Sequence, residues 1–366
     1  MNIRDMFLLK DNLIYLNHAS TDIIPKDAIR RMNDVINDFA KQEDPEKEYQ
    51  DEILIGARKR IAQLINGKPE NITFTMNTSH AIYIALLNIP LSEGDEVVVM
   101  NECFPAAKYI AKYNLPGINV KYVNFAEKDP VEVIKKNHNS RLKVVIVDHV
   151  QYFTGEKLPL LKLSNFLKEN NVFLIIDGIQ AVGAINVDVK MEGIDMLACG
   201  CSKWINGPQG TGFLYISSEV FNRLRKTHTG WLGAPWKNYI SFDILPEPFL
   251  DARRFELGTR NIIGIAGLSE SIRILLEYGP ERVEKRIREL NTLLLEGLEK
   301  KKFEILTPKN RMAGIVTGRL KGTKAASVYK KLKENNIIIS LRNNALRFSP
   351  HFYNTTEEIE KVLEII

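Results

Sequence analysis

The feature that most constrains the fold is a short apolar run at residues 172–176, VFLII, which is followed at once by Asp177. The run is too short for a buried helix and rich in β-branched residues, a pattern typical of a strand buried on both faces of a parallel sheet. A residue directly after such a strand lies at the carboxyl end of the sheet, where ligands bind in open α/β proteins. The stretch predicts an α/β fold with a candidate binding residue at Asp177.

A lysine follows the next apolar segment. Residues 196–199 lead into Ser202, Lys203 and a glycine-punctuated loop, GPQGTG, at 207–212. A partly desolvated lysine in such a loop can form an adduct with a carbonyl group. Pyridoxal phosphate (PLP) requires a lysine for its Schiff base and a carboxylate beside its pyridinium nitrogen. Lys203 and Asp177 together fit those two needs.

The motifs DGIQAVG at 177–183 and SKWINGPQGTG at 202–212 resemble those of the class V aminotransferases, and the resemblance extends over most of the chain. It implies the fold type I architecture of PLP-dependent transferases, with a mostly parallel, doubly wound sheet. The large PLP-binding domain would span residues 18–255, and a smaller α+β domain would span 256–366, with residues 1–17 packing near it. The resemblance makes Lys203 and Asp177 the catalytic residues, and Gln180 the partner of the cofactor's 3-hydroxyl. Ser202, where the family more often has histidine, is a candidate cofactor contact.

Further cofactor contacts are implied upstream. Residues 75–82, TMNTSHAI, predict a strand and then a helix whose start carries Thr78 and Ser79. These hydroxyls could be helix caps, but the amides and dipole of a helix start also bind phosphate, and the resemblance favours that role. Phe104 is implied to stack on the cofactor ring, with an ordinary core phenylalanine as the alternative. Either Gln151 or Tyr152 is a candidate cofactor contact.

Substrate contacts are implied near both ends of the chain. Arg347, in LRFSPHFYN at 346–354, matches the arginine that binds the substrate α-carboxylate through paired hydrogen bonds. Arg342 is a second candidate, with an ordinary surface residue as the alternative. Asn17 and His18 match a segment that enters the active-site mouth, with a surface strand and loop as the alternative. The segment RFELGT at 254–259 resembles one that crosses a dimer interface. It implies a homodimer in which Gly258 and Thr259 approach the partner subunit's phosphate.

The composition excludes several other classes of protein. The net charge is only +5, and the 50 basic residues are scattered, which favours solvated faces over a nucleic-acid surface. The N-terminal residues predict neither a signal peptide nor a membrane span. Three cysteines suggest a reducing compartment and hence the cytoplasm, and Cys199 and Cys201 lack the second ligand pair of a metal site.

The reaction is less constrained than the fold. We expect an aminotransferase that acts on an amino acid and a 2-oxo acid, with a β-lyase of the cysteine or selenocysteine type, an epimerase or a catalytically silent homologue as alternatives. A desulfurase that works through a persulfide needs a cysteine just before the carboxylate arginine. Residues 338–347, IISLRNNALR, contain none, which argues against that route.

Overall fold

The apolar run forms the middle strand of a seven-stranded sheet, Phe173–Asp177, and all five of its residues are buried. The computed structural model describes residues 3–10, 12–41, 47–126, 128–225, 227–236, 243–320, 322 and 324–366. Each large aliphatic side chain buried in such a strand stabilises the fold by about 1.5–3 kcal/mol. The central sheet is therefore held mainly by burial of its own apolar residues.

The strands are, in chain order, β1 (Ile14–Tyr15), β2 (Ile72–Thr75), β3 (Glu96–Met100), β4 (Asn119–Val123), β5 (Leu142–Asp148), β6 (Phe173–Asp177), β7 (Met196–Gly200), β8 (Gly212–Ile216), β9 (Phe303–Ile305), β10 (Val316–Leu320), β11 (Ile337–Ile338), β12 (Ser340–Arg342) and β13 (Ala345–Phe348).

The α-helices are α1 (Lys26–Lys41), α2 (Lys47–Leu64), α3 (Thr78–Leu87), α4 (Pro105–Asn114), α5 (Pro130–Lys135), α6 (Leu160–Glu169), α7 (Ser218–Phe221), α8 (Ile262–Tyr278), α9 (Pro280–Lys300), α10 (Ala325–Glu334) and α11 (Thr356–Ile365).

The large sheet has the strand order β2-β8-β7-β6-β5-β3-β4. Neighbours from β7 through to β4 are parallel, and only β8 runs antiparallel to both of its neighbours. The predicted α/β class with a mostly parallel sheet is confirmed. Because β5, β6 and β7 point the same way, the residues that follow them meet at one edge of the sheet.

A second, antiparallel sheet has the order β12-β13-β10-β9, and β1 pairs with β11 in a short parallel ribbon. The apolar residues at 313–317 predict a strand, but β10 begins only at Val316. The residues before it bond elsewhere, since the Ala313 amide donates to the Gly155 carbonyl and its own carbonyl accepts from Asn291. Gly314 lies so close to the Trp204 ring that a Cβ there would approach it to 2.6 Å. Packing against Trp204 therefore displaces the start of the strand.

The turn between β12 and β13 consists of two residues, Asn343 and Asn344. Both have left-handed backbones, with φ of 48° and 54°. Two positive φ values suit the turn type that matches the natural twist of a β-hairpin, and asparagine tolerates that conformation better than most residues do. The hairpin fixes the spacing between the side chains of β12 and β13.

The buried apolar side chains form two clusters. One surrounds the large sheet and takes in α8, which packs against α1 and α2. The other joins β1 and the small sheet with α9 to α11 from Leu290 onward. The domain boundary predicted at residue 255 stays a prediction, since side-chain clusters do not test which segments fold independently. In the described part of the chain no helix is both long enough and apolar enough to cross a membrane.

Candidate active site

A cavity of about 280 Å³ opens beyond the ends of β5, β6 and β7. The small sheet and the segment after β1 also contribute to its wall. The residues that line it are Ala19, Ser20, Met76, Asn77, Thr78, Ser79, Phe104, Ala106, Tyr152, Asp177, Ile179, Gln180, Gly200, Ser202, Lys203, Gly210, Thr211, Arg342 and Arg347.

Lys203 reaches this cavity from the loop after β7. Its ammonium group lies 5.8 Å from the centroid of the Phe104 ring, and burial lowers the pKa of its amine to about 8. The loop is shaped by Gly183, whose φ is +92° and at which a Cβ would come within 2.3 Å of the Trp204 carbonyl. Only glycine allows this approach, so the last glycine of the DGIQAVG motif lets the loop that carries Lys203 pack closely against it.

Asp177 ends β6, and Asp148 is its register partner at the end of β5. Both are buried. Burial raises the pKa of Asp177 to about 6, although the Ile179 amide, which donates to its carboxylate at 3.0 Å, and the charge of Lys203 both lower it. Burial and the Asp177 charge raise the pKa of Asp148 further. The direction of these shifts favours Asp177 over Asp148 as the ionised member of the pair.

The start of α3 forms another wall of the cavity. The side chain of Asn77 caps the helix by accepting a hydrogen bond from the His80 amide at 2.9 Å. The amides of Thr78 and Ser79 stand in the first turn, where no intrahelical acceptor exists. Thr78 also accepts a hydrogen bond from the Gly200 amide at 2.9 Å, which ties the helix to β7. Free amides and the helix dipole make this end suitable for a phosphate.

Tyr152, and not Gln151, lines the cavity, which separates the two alternatives left open by the sequence. The amide of Gln151 donates to the Glu102 carbonyl at 2.6 Å, and its oxygen accepts from the Phe153 amide at 2.8 Å. Gln151 thus shapes its own loop. The ring of Tyr152 instead meets the ring of Phe104 edge to face at 5.5 Å between centroids.

Gln180 lines the cavity, but part of its hydrogen-bonding capacity serves the fold. Its oxygen accepts from the Trp204 indole at 2.8 Å, and its nitrogen donates to the Ala19 carbonyl at 3.0 Å. One N–H remains for the predicted bond to a ligand hydroxyl. Ser202 also lines the cavity, while its carbonyl accepts from the Asp22 amide at 2.9 Å.

Arg347 enters the cavity from β13 and is almost fully buried. Its guanidinium donates to the Tyr152 carbonyl at 2.7 Å and to the Ser20 hydroxyl at 2.6 Å. Arg342 on β12 lines the same cavity. Ser20 is not among the contacts predicted from the sequence, although it lies only two residues after His18.

The structure does not bring His18 or Asn17 into the cavity. His18 is fully buried, with its Nδ1 2.5 Å from a carboxylate oxygen of Asp22, and Tyr353 packs against its ring. The Asn17 oxygen accepts from the Ser340 hydroxyl at 2.8 Å. Both residues join the N-terminal segment to the small sheet, so they support the site indirectly.

Gly258 and Thr259 lie outside this cavity, which agrees with a role toward another subunit but does not test it. Thr259 is exposed, and the neighbouring Leu257 is 46% exposed. Glu256, by contrast, is buried and pairs with Arg58 at 2.8 Å. The segment is therefore anchored at Glu256 and presents the next residues outward.

The family described as Aminotransferase class-V matches residues 14–362. The chain therefore belongs to the class V aminotransferases, and it is a PLP-dependent enzyme that acts on amino acids.

Relatives with different reactions resemble this chain to similar degrees. A probable cysteine desulfurase of Pyrococcus abyssi is 25% identical, over 100% of this chain and 96% of the relative. An isopenicillin N epimerase of Streptomyces clavuligerus is also 25% identical, over 99% of this chain and 96% of the relative.

Among solved structures, a variant of C-DES with glycine covalently linked to its PLP cofactor has a TM-score of 0.92 at 22% identity, over 100% of this chain and 98% of that one. An apo cysteine desulfurase of Thermococcus onnurineus has a TM-score of 0.86 at 25% identity, over 99% of this chain and 96% of that one. These likenesses establish the fold and leave the reaction open.

The donor groups of the cavity fit PLP. Lys203 would provide the amine for the aldehyde, Asp177 the anion for the ring nitrogen, and the start of α3 the amides for the phosphate. The ring of Phe104, which is 44% exposed in this chain, offers an aromatic face toward the cavity. Among the described residues no three His, Cys, Asp or Glu side chains are grouped so that they could hold a metal ion.

Proposed function

We propose that this enzyme is an aminotransferase that moves the amino group of an amino acid to a 2-oxo acid. The observation that supports the proposal is that Lys203, Asp177 and Arg347 line one cavity. These three residues supply a base, an anion for the cofactor ring and a cation for the substrate carboxylate. Removal of the Cα proton, the step on which transamination depends, needs all three.

Lys203 is the residue that moves the proton. Burial lowers the pKa of its amine to about 8, so a substantial fraction is neutral under mildly alkaline conditions. A base works best when its pKa lies near the working pH. Once its amine is released, Lys203 can take the proton from the substrate Cα and return it elsewhere.

Asp177 stabilises positive charge at the ring nitrogen. When bound, PLP supplies an electron sink for the electron pair that is left at Cα. Because Asp177 is ionised above a pH of about 6, it can hold the ring nitrogen in its protonated form. Its buried position makes this charge-assisted hydrogen bond stronger than it would be in water.

Arg347 orients the substrate. A guanidinium can bind a carboxylate through two parallel hydrogen bonds, which fixes direction as well as distance. Ser20 and the Tyr152 carbonyl already hold the side chain in place. Such a fixed clamp would aim the Cα–H bond of the substrate toward Lys203.

The rival reaction is cleavage of a carbon–sulfur bond, as the names of the cysteine desulfurase relatives suggest. A persulfide route needs an accessible thiolate beside the substrate. The chain has three cysteines, Cys103, Cys199 and Cys201, and all three are described and buried. None lines the cavity, and burial raises the pKa of each thiol. These facts favour amino transfer over that route.

A stoichiometry experiment tests the proposal. In amino transfer the amino group stays on the enzyme until a 2-oxo acid removes it. Without an acceptor, the enzyme should release at most one equivalent of 2-oxo acid per subunit, and added acceptor should restore turnover. Many equivalents of 2-oxo acid together with ammonia, without acceptor, would show elimination instead. Racemisation without 2-oxo acid would show an epimerase.

A second experiment examines the sulfur route. With L-cysteine and a reductant, the wild-type enzyme should form little alanine and sulfide. The Cys103→Ser variant should form equally small amounts of both. Cys103 is the relevant thiol because it directly precedes Phe104, which lines the cavity. Brisk alanine formation that disappears in Cys103→Ser would overturn the aminotransferase proposal in favour of a relocated sulfur acceptor.

A further inference from the structure

Two arginines of the small sheet reach the same cavity. Ser340 on β12 stands opposite Arg347 on β13, and Arg342 stands opposite Ala345. Side chains at opposite positions of an antiparallel pair share a face, as do alternate residues along one strand. Arg342 and Arg347 are therefore diagonal neighbours on one face, and both line the cavity.

Arg347 is held by neutral partners alone. Its two terminal nitrogens donate to a carbonyl and to hydroxyl oxygens, and its buried Nε has no hydrogen-bond partner. Its closest hydroxyl partner is Ser20. Among the described residues no carboxylate forms an ion pair with Arg347. Its charge is thus available for an anionic ligand.

Arg342 is in a similar position. Its Nε is buried and has no hydrogen-bond partner, and no described carboxylate pairs with it. The charge of Arg342 also lowers the pKa of Arg347, after the larger effect of burial, to about 9. Two guanidinium groups in one cavity repel each other. An anionic ligand that contacts both would relieve the repulsion.

A parallel pair of hydrogen bonds to Arg347 would fix an α-carboxylate without any contribution from Arg342. Asp177, the ionised acid that lines the cavity, lies at the end of β6 and is assigned to the cofactor ring. The start of α3 already offers amides to a phosphate. Arg342 is therefore left as an unassigned cation at the part of the cavity formed by the small sheet.

We infer that the substrate carries a second acidic group: it is a dicarboxylic amino acid, or the matching 2-oxo acid, of the size of aspartate or glutamate. Arg347 binds the α-carboxylate and Arg342 binds the side-chain carboxylate. The inference rests on the proposed function, since it assigns the substrate class of that same site. The rival arrangement has both arginines on a single carboxylate.

Equilibrium binding separates these arrangements without requiring turnover. The probes are succinate and butyrate, which have four carbons each but two carboxylates and one, respectively. Calorimetric titration of the PLP-loaded enzyme should show that succinate binds more tightly. In Arg342→Gln, succinate affinity should fall roughly 10- to 100-fold, the loss expected for one charged hydrogen-bonded contact, while butyrate affinity stays within about twofold. Arg342→Lys should restore part of the loss.

Arg319→Gln is the matched control, because Arg319 lies on β10 of the same sheet but is exposed and faces Glu304. It should leave both affinities unchanged. If Arg342→Gln weakens butyrate as much as succinate, both arginines serve one carboxylate and the inference is wrong. Equal affinity of the wild type for the two probes would also overturn it.

The two proposals fail in different ways. If succinate is preferred through Arg342 but the enzyme eliminates or racemises, only the reaction assigned above is wrong. If the enzyme transfers amino groups from neutral amino acids and does not prefer succinate, only the substrate class is wrong. Thermal unfolding of each variant with and without PLP checks that the site still forms.

Discussion

Asp148 and Asp177 occupy paired positions at the ends of two adjacent parallel strands, and both carboxyl groups are buried. The Phe104 amide donates a hydrogen bond to Asp148, whereas Asp177 receives one from Ile179 and lines the cavity. Burial and the charge of Asp177 both raise the pKa of Asp148. The arrangement therefore favours a negative charge on Asp177, the carboxylate that lines the cavity.

Asp177→Asn should slow proton removal from the substrate strongly while leaving the protein folded. A neutral amide cannot stabilise a protonated ring nitrogen, and loss of one charge-assisted bond costs about 1.5–3 kcal/mol, or roughly a 10- to 100-fold decrease in kcat. Single-turnover kinetics with a Cα-deuterated amino acid would measure the step. Asp148→Asn is the matched control and should retain activity within a few-fold, because Asp148 does not line the cavity and burial raises its pKa. Equal effects of the two changes would contradict the assignment.

The affinity of the apoenzyme for PLP should fall as the pH drops below about 6. Asp177 has a pKa raised to about 6 by burial, so it loses its charge below that pH and with it the attraction for a protonated ring nitrogen. The phosphate of PLP titrates in the same range. The Asp177→Asn apoprotein therefore serves as the reference, because its PLP affinity changes with pH only through the other titrating groups. Fluorescence titrations should show that the PLP affinity of the wild type depends more steeply on pH than that of the variant. Identical slopes would exclude Asp177 as the titrating group.

Lys203→Met should stabilise the apoprotein at neutral pH. The lysine pKa falls from 10.5 to about 8 on folding, so burial of its charge opposes folding below pH 8, by up to about 3 kcal/mol. Between pH 8 and 10.5 the unfolded chain binds more protons than the folded one, and the stability of the wild type should rise with pH in that range. Urea unfolding at pH 7 and pH 10 measures both effects. Lys162→Met, at an exposed lysine of α6, should change little.

Much of this site is predictable because its residues depend on local sequence. Asp177 and Lys203 follow buried strands directly, so the position of each strand end sets their place. Gln151 and Tyr152 are adjacent in a loop, and which of them faces the cavity depends on the Glu102 carbonyl that captures the glutamine. The burial of His18 is not predictable from its neighbours in the sequence, because it depends on Tyr353, a residue far along the chain.

Thr259→Ala should weaken PLP binding about 2- to 10-fold, the effect of one lost hydrogen bond, if the enzyme is a dimer with shared sites. Two apolar residues that precede this threonine in the sequence, Leu250 and Leu257, are 84% and 46% exposed, and a second copy of the chain could bury them. Thr292→Ala, on the exposed face of α9, is the control. A monomer with full activity at assay concentration in sedimentation would rule out the shared site.

The two-residue turn at Asn343 and Asn344 has a consequence for how new chemistry can arise on this scaffold. It is the shortest connection that closes the β12–β13 hairpin, and it lies just beyond Arg342. Additional residues there would extend from an already stable hairpin, since lengthening a surface loop costs little free energy. A grafted loop bearing a cysteine could bring a thiol to the cavity mouth while Arg347 and Lys203 stay in place. An insertion at this one hairpin would therefore add a reactive group beside the cavity without repacking of the core.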